Sequence, residues 1–331
     1  MSAFNFGSWF ESMRINHLPL SIFLVALSSQ ITVVGASNDF IGNVSKSPLA
    51  SRQKYKLDEK SISYLRNACV DAVQLSSDRL LRELNDHLMN SFNATDSFEL
   101  QMQRADALLA CKSPANAQKV LQGINPVTVA EQKVWSILFW QASNASMDHS
   151  SASLALRRLS EGNLQQLDRE QMTVAYGADG SPLTRSALDL LAEHERLNGR
   201  CDAAAKVLLA GRKSGALGAS RISRAVQCLE GIGIEQRKDL LESALAEANA
   251  DKAWWLVGDI LRLQLVLDLA AGGEEESYRT RLEEFAKELD DRFTQWELIR
   301  IDQDRKEERT LLEDQLRSPR ENAIEVEKIQ L

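Results

Sequence analysis

Residues 185–208 read RSALDLLAEHERLNGRCDAAAKVL. Leu188, Leu191 and Ala192 recur at three- and four-residue spacing, as the apolar face of a helix does. Gly199 interrupts that spacing, and Ala204 and Leu208 resume it. The stretch therefore predicts two short helices joined by a tight turn. Small residues let two such helices approach closely, and large ones fill the groove to the next pair.

The same alternation extends in both directions. Upstream, one helical pattern runs from about Leu57 to Ser91 on Leu65, Ala68, Ala72, Leu75, Leu80, Leu81, Leu84 and Leu88. Asp96 and Glu99 stand three apart, as at a capped helix start. Ser113-Pro114 suits a second start, with Pro at a position whose missing N–H costs nothing. Thr128 and Glu131 predict a capping box for a helix through Trp135, Leu138, Phe139 and Trp140. Residues 176–182 read as a loop, and Pro182 after Ser181 reads as another helix start. Downstream, Ile222, Ala225, Val226 and Leu229 precede a Gly231-Ile232-Gly233 turn, and Leu240, Leu241 and Leu245 follow it. Residues 253–271 are apolar nearly all round, which predicts a buried helix. Their Asp259, Arg262 and Asp268 argue against a membrane span.

Counted from Phe98, Gln132 and Arg185, these units resemble the tetratricopeptide repeat, a helix pair of about 34 residues with small residues near its eighth and twentieth positions. Ala105 and Ala117 fill those positions in the first unit, and Ala192 and Ala204 fill them in the third. The resemblance covers about 95–255 and implies an all-α, right-handed α-solenoid of antiparallel helix pairs over residues 57–273. It also implies a protein or peptide partner rather than a substrate.

Residues 274–317 predict one long, charged amphipathic helix. Tyr278, Leu282, Phe285, Leu289, Phe293, Trp296 and Ile299 alternate at four and three residues. That stripe either caps the repeats or offers a seam for self-association. Ser318-Pro319 ends it, and residues 318–331 read as a mobile tail.

At the other end, residues 18–36 form an uncharged apolar run preceded by Arg14 and His17. Val34-Gly35-Ala36 places small side chains before a possible cleavage point at Ser37. A start at Met13 instead of Met1 would make the leader compact and basic. Residues 1–36 thus read as a signal peptide or a membrane anchor, with a buried core helix as the third reading. Residues 37–56, rich in Ser, Asn and Gly, read as a flexible spacer. The expected location is extracytoplasmic, such as the periplasm, or single-span membrane-anchored.

The chain carries a net charge of −8, and residues 274–331 hold 18 acidic and 11 basic side chains. That balance argues against nucleic acid as a partner, because phosphate binding needs a basic face. No catalytic, cofactor or metal motif stands out, so neither an enzyme nor a cofactor is expected. Glu193-His194-Glu195 invites an acid–base reading, but consecutive helical residues diverge, and His194 is expected on a solvated face. Cys69, Cys111, Cys201 and Cys228 lack metal-ligand spacing. Export would allow disulfides, with Cys201–Cys228 the first pair to test; buried thiols are the alternative. These readings lead to an exported, non-enzymatic interaction scaffold, with an anchored, self-associating structural component second and a helical enzyme third.

Overall fold

The computed structural model describes residues 59–91, 96–211, 213–272, 276–300 and 302–317. The expectations for residues 1–36, 37–56 and 318–331 lie outside them. Among the described residues, helices account for 73% and strands for 4%, so the chain is mostly helical.

The helices run α1 (Glu59–Gln74), α2 (Asp78–Asn90), α3 (Phe98–Ala110), α4 (Pro114–Gln122), α5 (Val129–Ala145), α6 (His149–Leu159) and the single turn α7 (Leu164–Leu167). A hairpin of β1 (Gln171–Tyr176) and β2 (Pro182–Ser186) follows. Then come α8 (Ala187–Leu197), α9 (Cys201–Ala210), α10 (Ala216–Val226), α11 (Ile234–Ala250), α12 (Trp254–Ala270), α13 (Glu276–Glu288), α14 (Arg292–Ile299) and α15 (Lys306–Arg317). Each helix finds its main partners one or two places along the chain: α1 meets α2 and α3, α6 meets α8, and α10 meets α11 and α12.

Six tight turns share one hydrogen-bond pattern. At the end of α3, Lys112 N–H donates to Leu109 O and Ser113 N–H to Leu108 O. The pattern recurs around Ser76, Met147, Gly199, Lys252 and Asp290, each with positive φ. A left-handed residue at this point satisfies the last carbonyls of a helix and turns the chain into the next one. The turns join α1 to α2, α3 to α4, α5 to α6, α8 to α9, α11 to α12 and α13 to α14. Five of the six residues carry a Cβ at a cost of about 1 kcal/mol each. Gly199 does not, and a Cβ added there would meet nothing within 4 Å. Gly199→Ala is therefore expected to lower stability by about 1 kcal/mol through backbone strain alone, as read by urea unfolding.

These turns correct two sequence expectations. The run 57–91 is two helices, because Ser76 reverses the chain after Leu75. The predicted long helix over 274–317 is three: Asp290 turns it, Asp291 then caps α14 by accepting Thr294 N–H at 3.1 Å, and a second break separates Ile299 from Lys306. Other starts also differ. Ser97, not Asp96, caps α3 by accepting Leu100 N–H; Asp96 instead accepts from buried Arg104 at 3.0 Å. The loop expected at 176–182 is the tip of the β1–β2 hairpin, paired from Gln171–Ser186 to Tyr176–Pro182 with an irregularity between Thr173 and Ala175. Pro182 opens β2, and α8 begins five residues later after its cap Ser186. The Thr128–Glu131 capping box forms with both of its bonds, and Pro114 stands in the first turn of α4.

Two apolar cores follow one another along the chain. The first runs from Ile62 to Leu208 and adds Ala225 and Cys228. Trp135 anchors it, with its indole N–H on Leu121 O at 2.9 Å. The second runs from Ala219 to Leu312 and includes Leu282, Leu298 and Ile299.

Candidate functional site

The structure joins Cys201 to Cys228 and Cys69 to Cys111. The first bridge ties the start of α9 to the residues after α10. The second ties α1 to the end of α3. A thiol titration of the unfolded, unreduced protein is expected to find no free thiol, and four after reduction. Four before reduction would refute both bridges.

The seven-residue stripe does not survive as one face. Leu282 and Ile299 are buried, and Tyr278, Phe285 and Trp296 pack against the second core. Lys238 Nζ lies 5.6 Å from the Tyr278 ring centre, and Trp296 donates to Glu313 at 3.2 Å. Only Leu289 and Phe293 stay exposed, because the turn at Asp290 swings the stripe onto a new helix.

Among the histidines, His194 overturns its expected exposure: it is 3% exposed. Leu188, Leu191, Ala192 and Glu195 share the inner face of α8, and His194 borders it. Trp140 Nε1–H donates to His194 Nε2 at 3.0 Å, so the neutral ring carries its proton on Nδ1. That proton faces His149 Nδ1 at 3.2 Å. The ring centres are 5.4 Å apart, so the two nitrogens point at each other and not toward a shared third atom. The arrangement suits a shared proton better than a chelated cation. Burial, then the facing His149, pushes His194 down to about 4; Glu193 and Glu195 oppose the shift, and Arg185 reinforces it.

A histidine with a lowered folded pKa stabilises above its unfolded value near 6.5, and that contribution is lost as pH falls toward about 4. Stability should therefore drop by roughly 3 kcal/mol across this window from His194 alone. His194→Phe should flatten that part of a urea-unfolding profile against pH; an unchanged slope would refute the assignment.

Beside it, Glu195 is fully buried as an anion. It accepts from Ser153 and Arg157, each at 2.7 Å, and pairs with Arg200 at 2.6 Å. A second buried cluster centres on Arg221, which bonds Asp168 at 2.5 Å and Asp189 at 2.7 Å. Both clusters set each buried charge against an opposite one and hold helices in place.

Among the described residues, a hollow and an apolar edge open to solvent. A hollow of about 350 Å³ lies where the start of α5 meets the end of α6, lined by Val129, Lys133, Arg158, Leu159, Arg169 and Glu170 among others. Lys133 is paired with Glu170 at 2.6 Å, and Arg158 lies over the Trp135 ring. Its charges are mixed and its walls exposed, which points to no particular ligand.

The other opening is an apolar edge of the second core. Trp254 is 44% exposed, Trp255 67%, Leu289 45% and Phe293 55%. Gly258, one turn past Trp254, faces Phe285, one turn before Leu289: a Cβ on Gly258 would lie 3.3 Å from the Phe285 ring. Arg262 reaches from α12 to Thr294 and to Asp291 at 3.6 Å, which brings the start of α14 and Phe293 to the same corner. Asp251 accepts the Ala216 N–H at 2.6 Å and draws in the start of α10, with exposed Leu217. Sequence reading buried both tryptophans. The helical spacing of Trp255 with Asp259 and Arg262 was the signal that Trp255 lies on the solvated face.

The chain matches no known family model, and no characterised protein or solved structure matches it. Among the described residues, no helix is long and apolar enough to cross a membrane, and no cluster of three or more metal-ligating side chains occurs.

Proposed function

We propose that the chain is an exported, non-enzymatic helical-repeat scaffold that holds a protein partner in the cell envelope. The observation that carries this reading is the recurrence of one helix–turn–helix device six times. Successive turns at Ser76, Lys112 and Met147 lie close to the spacing of tetratricopeptide repeats, and the hairpin and α10 stretch the later intervals. In this reading the pairs are antiparallel and stack as a degenerate, right-handed solenoid. Such arrays bury one face of each pair on its neighbours and leave long surfaces for binding. Two disulfides support an oxidising, extracytoplasmic location. Four exposed large apolar side chains at one corner supply the docking surface.

The anchored, self-associating alternative draws less support, because most of its seam is spent on the second core. Photo-crosslinkers placed at Trp255 and Phe293 of the full chain in its native cells should capture a protein partner. One at exposed Lys206 should not. Equal labelling from all three positions, or adducts from none, would refute the reading. N-terminal sequencing of the mature chain tests export; a chain beginning at Met1 or Ser2 would count against cleavage.

A further inference from the structure

We infer that the apolar edge of α12, α13 and α14 takes a cationic amphipathic segment of another protein. This inference rests on the scaffold reading and names the partner class for that surface. The edge pairs large apolar anchors with an acidic rim. Close to Trp254, Trp255, Leu289 and Phe293 along the chain lie the carboxylates of Asp251, Asp259, Glu288, Asp290, Asp291 and Glu297, against the cations of Lys252, Arg262, Lys287 and Arg292. Arg262 is engaged with Asp259 and Asp291, and Arg292 with Asp290. The rim is therefore net negative, and Arg262 and Arg292 are already committed to carboxylates of the rim itself.

Three classes of occupant fit this charge poorly. A second copy docking by the same edge would set one acidic rim against another, a like-charge contact that costs affinity. An anionic lipid surface attracts basic segments, not acidic ones. Nucleic acid needs cations to replace its counterions. A protein segment with apolar side chains on one face and Lys or Arg beside them satisfies both halves of the site. Its apolar face covers the tryptophans and Phe293, and its cations meet the rim. Exposed indole faces add a further attraction, because a Lys or Arg head binds over a tryptophan ring.

The test uses two synthetic 14-residue amphipathic peptides, one of Leu and Lys and one of Leu and Glu, titrated by fluorescence anisotropy against the full-length mature chain. The Leu/Lys peptide should bind at least tenfold more tightly than the Leu/Glu peptide, and its affinity should fall with added salt. Trp255→Ser with Phe293→Ser should weaken it at least tenfold, while Leu75→Ser, at an exposed position just after α1, should not. Both substituted positions are exposed, and an unchanged urea midpoint confirms that the double variant folds. Equal binding of the two peptides, or no binding of the Leu/Lys peptide, would overturn the cationic partner and leave the crosslinking result to judge the scaffold reading. Leu/Lys binding untouched by the double variant would overturn the docking surface itself. Retention of the wild-type chain on anionic vesicles, lost in the double variant, would replace the protein partner with a membrane.

Discussion

Arg221→Met is expected to lower the unfolding free energy by about 3–5 kcal/mol at neutral pH. Arg221 is 1% exposed and has no water to fall back on. Its guanidinium joins four segments. It bonds Asp168 after α7, the cap Ser186 at 3.2 Å, Asp189 in α8 and the Gly211 carbonyl at 2.6 Å after α9. Lys213 also pairs with Asp168, and Arg224 meets Asp189 at 3.1 Å. Burial is the largest single influence and raises the pKa of both carboxyl groups, but the hydrogen bonds and charges of Arg221, joined by Lys213 at Asp168 and by Ser186 and Arg224 at Asp189, together outweigh it and hold both below the ordinary aspartate range. Methionine fills the volume but leaves the two carboxylates short of their main partner. The penalty should therefore be largest near pH 7. It should shrink as pH falls, because the stranded carboxyl groups now protonate more readily in the folded state than in the unfolded one. Urea unfolding at pH 7 and pH 4.5 checks both claims. Adding Asp168→Asn and Asp189→Asn to Arg221→Met should recover roughly 2 kcal/mol at pH 7 by removing the buried charge. A cost under about 1 kcal/mol for Arg221→Met, or one that grows in acid, would refute the role.

Arg221 also marks where sequence reading runs out. Its partners lie 10, 32 and 53 residues away, and no local pattern announces them. What was legible was local. Thr128 and Glu131 form their box, Pro114 starts its helix, and the apolar periodicities of α3 to α5 and α8 to α11 mark the buried faces. The breaks at Ser76 and Asp290 were harder, because both residues carry side chains that ordinarily avoid left-handed backbone. Gly199 showed itself, and Ser113-Pro114 marked the break at Lys112. Where apolar residues flank such a turn, as Leu75 and Leu80 do at Ser76 and Leu289 and Phe293 do at Asp290, their spacing mimics a continuous helix. The hairpin hid for a related reason. Proline after serine fits the first turn of a helix as well as the first residue of an edge strand. At the candidate site, the stripe was correct in its helical spacing and wrong in its continuity. Glu195 was open to better reading, since it follows Leu188, Leu191 and Ala192 by seven, four and three residues and so belongs to the buried face of α8. That such a carboxylate stays charged depends on Arg157 and Arg200, which only the fold supplies.

Loss of the two disulfides is expected to act differently at the two ends of the chain. A bridge limits the unfolded ensemble by the loop it closes. Separations of 42 residues for Cys69–Cys111 and 27 for Cys201–Cys228 correspond to about 3.5–4 kcal/mol each in the chain-entropy estimate. Cys69→Ala with Cys111→Ala should cost about that amount and leave the remainder of the chain unfolding in one step, because Cys69 and Cys111 lie within the first core. Cys201→Ala with Cys228→Ala removes a covalent tie where the two cores meet: Cys228 packs with the first core, whereas its neighbour Val226 belongs to the second. Arg221 is the other fastening there. Without the bridge, the cores should unfold less cooperatively, so the urea transition should broaden and its apparent slope fall as well as its midpoint. Adding Arg221→Met to that variant should separate the transition into two steps, read by tryptophan fluorescence. The tryptophans divide between the cores, with Trp135 and Trp140 in the first and Trp254, Trp255 and Trp296 on elements of the second. A single transition with an unchanged slope in the triple variant would mean that apolar contact between α9 and α10 couples the cores, and that the bridge and the charge cluster only add stability.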